Sequence, residues 1–243
     1  MTILVMGASG STGRLLVEQL LDMGQQVKVI MRTPEKAPDS WKNNKNISII
    51  KASISEVSED EMADYIEGCQ AVASCLGHNL NLKGIYGKPR KLVTNAVRLL
   101  CNTIKNNHPQ NSIKFVLMNT TGNRNRDLNE PISFGEKLIM GIIRLLVPPH
   151  PDNEKAADYL REEIGQNNTS IEWVAVRPDT LINNDEVSIY DLHVSPTRSA
   201  LFNPGKTSRI NVGHFMAKLI TDNDIWIKWK RQMPVIYNKE VTK

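Results

Sequence analysis

Short apolar runs recur along the first 178 residues, and most are followed by a stretch whose apolar side chains return every three or four positions. Ile3–Met6 is the first run. After it, Leu15, Leu16, Leu20 and Leu21 fall on one stripe, which predicts a helix over Ser11–Met23 stopped by Gly24. Val27–Met31 and Ile47–Ile50 read as a second and a third buried strand. Ser58 followed by Glu61 is a capping box that opens a helix reaching Glu67. Ala71–Leu76 is a fourth strand, and a loop over residues 77–87 leads to a long amphipathic helix, Pro89–Asn106, with proline in its first turn. Lys114–Asn119 is the fifth strand. Phe134–Leu146 is helical and apolar on nearly every face, which predicts burial, the wall of an apolar pocket or a partner surface, the wall over the acceptor site being preferred. Val147–Pro151 breaks it, a helix follows over Asn153–Gly165, and Ile171–Pro178 is the sixth strand.

Continuous apolar strands with helical crossovers form a parallel sheet covered on both faces. The predicted class is α/β, a Rossmann-type doubly wound parallel sheet. Beyond Pro178 the pattern changes to short β-leaning pieces and turns, with one helix at Val212–Ile220 and a terminal strand at Pro234–Tyr237. The expected organisation is a domain over 1–178 and a small C-terminal lobe, 179–243, packed on the same domain.

Composition narrows the classes. The 243 residues carry a net charge of +4 that is scattered and forms no dense basic run, which argues against nucleic-acid binding. No apolar stretch approaches the roughly 18 residues of a membrane span. Met1 leads straight into Thr2–Met6 without the basic and apolar regions of a signal peptide, so the expected location is cytoplasmic. Cys69, Cys75 and Cys101 make no Cys-x-x-Cys pair and read as reduced core thiols, with no metal site implied.

The stretch Met6–Leu16, MGASGSTGRLL, places Gly7, Gly10 and Gly13 three apart between the first strand and the first helix. That context is a dinucleotide loop. Gly7 suits a turn needing positive φ, Gly10 lets a pyrophosphate approach the backbone, and Gly13 lets helix and sheet pack closely. The helix start offers free N–H groups, and Ser9, Ser11 and Thr12 offer hydroxyls. An acidic residue about 20 positions further on would favour NAD. The end of the second strand instead carries Arg32, and Arg14 follows Gly13. Guanidinium groups fit a 2′-phosphate, so NADP(H) is the preferred cofactor, with NAD(H) possible.

These residues resemble the atypical short-chain dehydrogenase/reductases, in the NAD(P)H-binding group with the NmrA-like and biliverdin/flavin reductase B-like proteins. GCQAVASCLG resembles the family's fourth strand, FVLMNTTG its fifth, and IEWVAVRPDTL its sixth strand and Arg-Pro turn. The resemblance implies that Leu76 and Gly77 lie against the cofactor and that Thr120 and Thr121 lie near the nicotinamide. It also sets Ala52 and Ser53 where the family often carries Gly-Asp against the adenine.

Typical members use Tyr-x-x-x-Lys as the acid pair. None of the five tyrosines here has lysine four residues on. Anchored on the following helix, those positions fall near His150 and Glu154. His150 is therefore the candidate acid. Ketone reduction needs a placed proton, whereas a flavin or quinone delocalises the charge it receives. The expected partner is a planar small-molecule acceptor, with the protein a monomer or homodimer. Two alternatives remain: a non-catalytic NADP(H) sensor of NmrA-like type, and a sugar-nucleotide epimerase or dehydratase. The lost Tyr/Lys pair weighs most against the last.

Overall fold

The computed structural model describes residues 1–78 and 86–239. The predicted loop over 77–87 therefore has its residues 79–85 outside the described part. Along the chain run β1 (Thr2–Met6), α1 (Ser11–Asp22), β2 (Gln26–Met31), α2 (Asp39–Lys42), β3 (Ile47–Lys51), α3 (Glu59–Ile66), β4 (Ala71–Ser74) and α4 (Leu92–Asn106). They are followed by β5 (Ile113–Met118), α5 (Phe134–Leu146), α6 (Pro149–Asp158) and β6 (Ile171–Pro178). The rest comprises β7 (Thr180–Ile182), β8 (Tyr190–His193), β9 (Lys206–Ser208), α7 (Arg209–Thr221), α8 (Asn223–Trp229) and β10 (Val235–Asn238).

Eight strands form one sheet in the order β3-β2-β1-β4-β5-β6-β10-β8. The pairs from β3 through β6 to β10 are parallel, with Val5 opposite both Val29 and Ala73, and β8 is antiparallel to β10. This is the doubly wound Rossmann-like arrangement. The order reverses between β1 and β4, which is the switch point where such sheets open a crevice beyond their carboxyl ends.

Period-two alternation divides the core. Ile3 and Val5 face one layer with Leu16, Leu20, Phe215 and Trp226, while Leu4 and Met6 face the other with Met62, Val97, Leu100 and Leu160. Residues after Pro178 are woven into these layers. β10 extends the sheet beside β6, and α7 packs so closely on α1 that a Cβ on Gly213 would lie 3.0 Å from the Leu16 amide nitrogen.

Three features differ most from the sequence reading: two helix starts and the burial of one helix. The helix expected from Pro89 begins at Leu92, because a carboxylate distant in sequence, Asp152, accepts the Val93 and Thr94 amides and sets the start. The helix expected from Asn153 begins at Pro149. Prolines in a first turn lose no needed N–H, so the segment read as a breaker is an initiator. The helix Phe134–Leu146 forms as predicted, but Met140 is its only buried side chain, so of the alternatives burial in the core does not hold. Its inward side forms a cavity wall, and Phe134, Leu138, Ile142 and Leu145 face outward.

Candidate functional site

β1 delivers the chain to Gly7, whose φ is +74°. A Cβ there would lie 2.5 Å from the Cys75 carbonyl carbon, so only glycine fits. The Gly10 amide donates to the Gly7 carbonyl at 3.0 Å and closes the turn. Gly10 then caps α1 without a side chain, and the first turn of α1 holds no acidic residue. Its leading amides and the positive end of the helix dipole keep their affinity for an anion. A Cβ on Gly13 would sit 2.1 Å from the Gly7 carbonyl oxygen.

A cleft of about 500 Å³ opens at the switch point. It brings together seven of the residues expected from the sequence: Gly7, Ser9, Gly10, Arg32, Ser53, Leu76 and Gly77. Each comes from the carboxyl end of β1, β2, β3 or β4. The Ser53 and Ser55 hydroxyls bond each other at 3.0 Å. Arg32 and Lys88 are the cations of the lining, and no aspartate or glutamate lines it among the described residues. Cys75 joins the lining while its thiol contacts Met216 Sδ at 3.9 Å, and burial pushes that thiol up to about 12, which keeps it protonated. Glycines whose Cβ atoms would collide, a helix start, and cations without a facing carboxylate fit the pyrophosphate and phosphates of a dinucleotide.

Other expected cofactor residues lie off the cleft. Ser11 is exposed at the start of α1, and Thr12 and Gly13 are buried. Arg14 turns to Glu18 at 2.9 Å on the outer face of α1, so it joins a surface ion pair.

The three residues expected to carry chemistry also lie outside the cleft lining. Thr121 lines a second cavity of about 250 Å³, with Arg124, Glu130, Glu136, Met140, Arg144 and Arg198. Its hydroxyl bonds the Asp179 carboxylate, whose pKa is nonetheless raised by burial. Thr120 Oγ1 accepts the Gly122 amide at 3.3 Å. His150 lies in the first turn of α6, and its Cε1 would stand 3.3 Å from a Cβ on Gly122. Its Nε2 is buried without a hydrogen-bond partner, 3.7 Å from Glu154 Oε1. Burial lowers its pKa below the ordinary imidazole value; Glu154 opposes the shift and Arg144 adds to it.

Two pairs were invisible in sequence. His78 Nε2 lies 2.8 Å from Asp152 Oδ2, with side chains 6% and 1% exposed, although the two residues are 74 positions apart. His78 lines the cleft. Arg177, fully buried, bonds both Glu130 carboxylate oxygens and the carbonyls of Asn123, Val194 and Met233. The only sequence signals were His78 directly after the strand-terminal glycine and an arginine within an apolar strand.

A family model described as NAD(P)H-binding matches residues 7–223, beginning at the first glycine of the loop. The chain belongs to the NAD(P)H-binding family. An uncharacterized chloroplastic protein of Arabidopsis thaliana is 40% identical over 76 residues, which are 31% of this chain and 27% of that protein. A short-chain dehydrogenase/reductase of Veillonella parvula, solved in complex with NADP, superposes with a TM-score of 0.68 at 15% identity, covering 98% of this chain and 94% of that one. A candidate NADH-flavin reductase of Streptococcus pneumoniae gives 0.65 at 17% identity, over 98% and 100%. At such identities the likeness is one of fold. Among the described residues of this family member, no helix is long and apolar enough to cross a membrane.

Proposed function

We propose that the protein is an NADPH-dependent oxidoreductase that reduces a planar acceptor of flavin or quinone type. The observation that carries this reading is the cleft lining: Arg32 at the end of β2, and no described carboxylate to take its place. The loop from Gly7 to Gly10 and the start of α1 would hold the pyrophosphate, Arg32 the 2′-phosphate, and Ser53 the adenine side. Leu76 and Gly77 would wall the nicotinamide side. Bound there, the cofactor supplies a hydride. The chain's part is to bind, orient and exclude water, which is most of what a charge-delocalising acceptor requires.

A non-catalytic NADP(H) sensor is favoured by one observation, the position of Thr120, Thr121 and His150 off the cleft lining. Titration with NADPH and NADH, followed by flavin and quinone in the same cuvette, separates the readings. Binding with acceptor-dependent loss of reduced-nicotinamide absorbance supports the reductase, and binding without loss supports the sensor. Arg32→Gln is expected to weaken NADPH about tenfold to a hundredfold, the loss of a charge-assisted phosphate contact, and NADH less than about twofold. Equal weakening of both would remove Arg32 from the choice of cofactor.

A further inference from the structure

The cleft wall holds one imidazole, His78, whose side chain is almost wholly buried. Its Nε2 meets Asp152 Oδ2 at 2.8 Å. That carboxylate is itself fixed. It accepts the Val93 amide at 2.9 Å, the Thr94 amide at 3.0 Å and the Thr94 hydroxyl at 2.6 Å, all from the start of α4. Moving Asp152 would unwind a helix end, so the imidazole has a rigid partner. A carboxylate on one ring nitrogen keeps the proton there and leaves Nδ1 as the site of exchange.

The other protic side chains of the described wall are poorly suited to move a proton near neutral pH. Arg32 and Lys88 are strong bases, Ser9, Ser53 and Ser55 are weak acids, and the Cys75 thiol is pushed up to about 12 by burial. Imidazole is the side chain whose ordinary chemistry spans that range.

We propose that His78 is the catalytic proton donor of this cleft, held by Asp152 as its positioning residue. The proposal rests on the reductase reading above. A quinone that has accepted a hydride becomes a hydroquinone by taking up one proton. The Nδ1–H bond of the His78 imidazolium breaks as the O–H bond forms on the acceptor. The electron pair stays on Nδ1, and a solvent proton restores the imidazolium.

The competing role is a latch that ties the end of β4 to α6, and His78→Gln separates the two. Glutamine still offers a donor to Asp152 but cannot relay a proton. With menadione as acceptor, His78→Gln is expected to lower kcat by about 10²–10⁴-fold, the scale of a placed acid. It should also remove one ionisation from the pH profile of kcat, while NADPH affinity stays within about twofold. Wild-type turnover in His78→Gln, or a pH profile of kcat that the substitution leaves unchanged, overturns the proposal and leaves the reductase reading standing. NADPH binding with no menadione turnover in the wild type overturns both.

Discussion

At Gly13 a single methyl group decides the fit. A Cβ would stand 2.1 Å from the Gly7 carbonyl oxygen and 3.1 Å from Ala8 Cα, both backbone atoms. Gly13→Ala must therefore push α1 away from the loop. The expected cost is about 1–3 kcal/mol, read from urea denaturation, with a matching loss of NADPH affinity. His150 yields a second expectation. Its folded pKa lies below the ordinary 6.5, chiefly through burial, so the unfolded chain binds the extra proton first. Stability is then fully present above pH 6.5 and falls as pH drops through the folded value. Thermal melts between pH 5 and pH 8 should show a shallower fall in His150→Gln than in the wild type. An unchanged slope would return the effect to His214, which burial lowers in the same direction.

Among the elements, β6 carries the heaviest polar investment. Arg177 uses its guanidinium to join Glu130, Asn123, Val194 and Met233, so one side chain fastens the loop before α5 and two C-terminal segments to the sheet. Glu130→Ala leaves that cation buried and unpaired, and a loss of about 3–5 kcal/mol is expected in denaturant titration. The outward face of α5 is the opposite case. Leu138 is 60% exposed and Leu145 81%, so replacing either with lysine should change stability by less than about 0.5 kcal/mol. A loss of several kcal/mol would mean that this face is covered in solution. The apolar pattern of α5 identified a helix and a cavity wall but not the exposure of its other face. Periodicity reports which side chains avoid charge; exposure depends on what the fold places beside them. The starts of α4 and α6 escaped notice for a related reason. One is fixed by Asp152 from elsewhere in the chain, and the other hides in prolines that read equally as a stop.

For the whole molecule, the parallel sheet was legible because its strands are buried on both faces and write themselves as apolar runs, whereas the places of β10 and β8 in it were not. The cleft at the switch point was legible to the extent that it is local. Gly7, Ser9 and Gly10 belong to one loop, and Arg32, Ser53 and Leu76–Gly77 each end a recognisable strand. Thr12 and Arg14 were assigned by nearness in sequence, but α1 rotates successive side chains by about 100°, so they point inward and away from the cleft. His78 and Asp152 meet only because β4 and α6 share an edge of the fold, and no spacing records that.

Asp152 also joins two places that would otherwise be unaware of each other. One of its oxygens is shared by the His78 ring and the Val93 amide. A change of charge on the ring alters the pull on that amide, which belongs to the backbone of a helix. Hydrogen–deuterium exchange at Val93 is therefore expected to respond to NADP⁺, while Leu100, two turns along the same helix, keeps its rate. A peptide proton outside the cleft would then serve as a gauge of events within it, without any label having to enter.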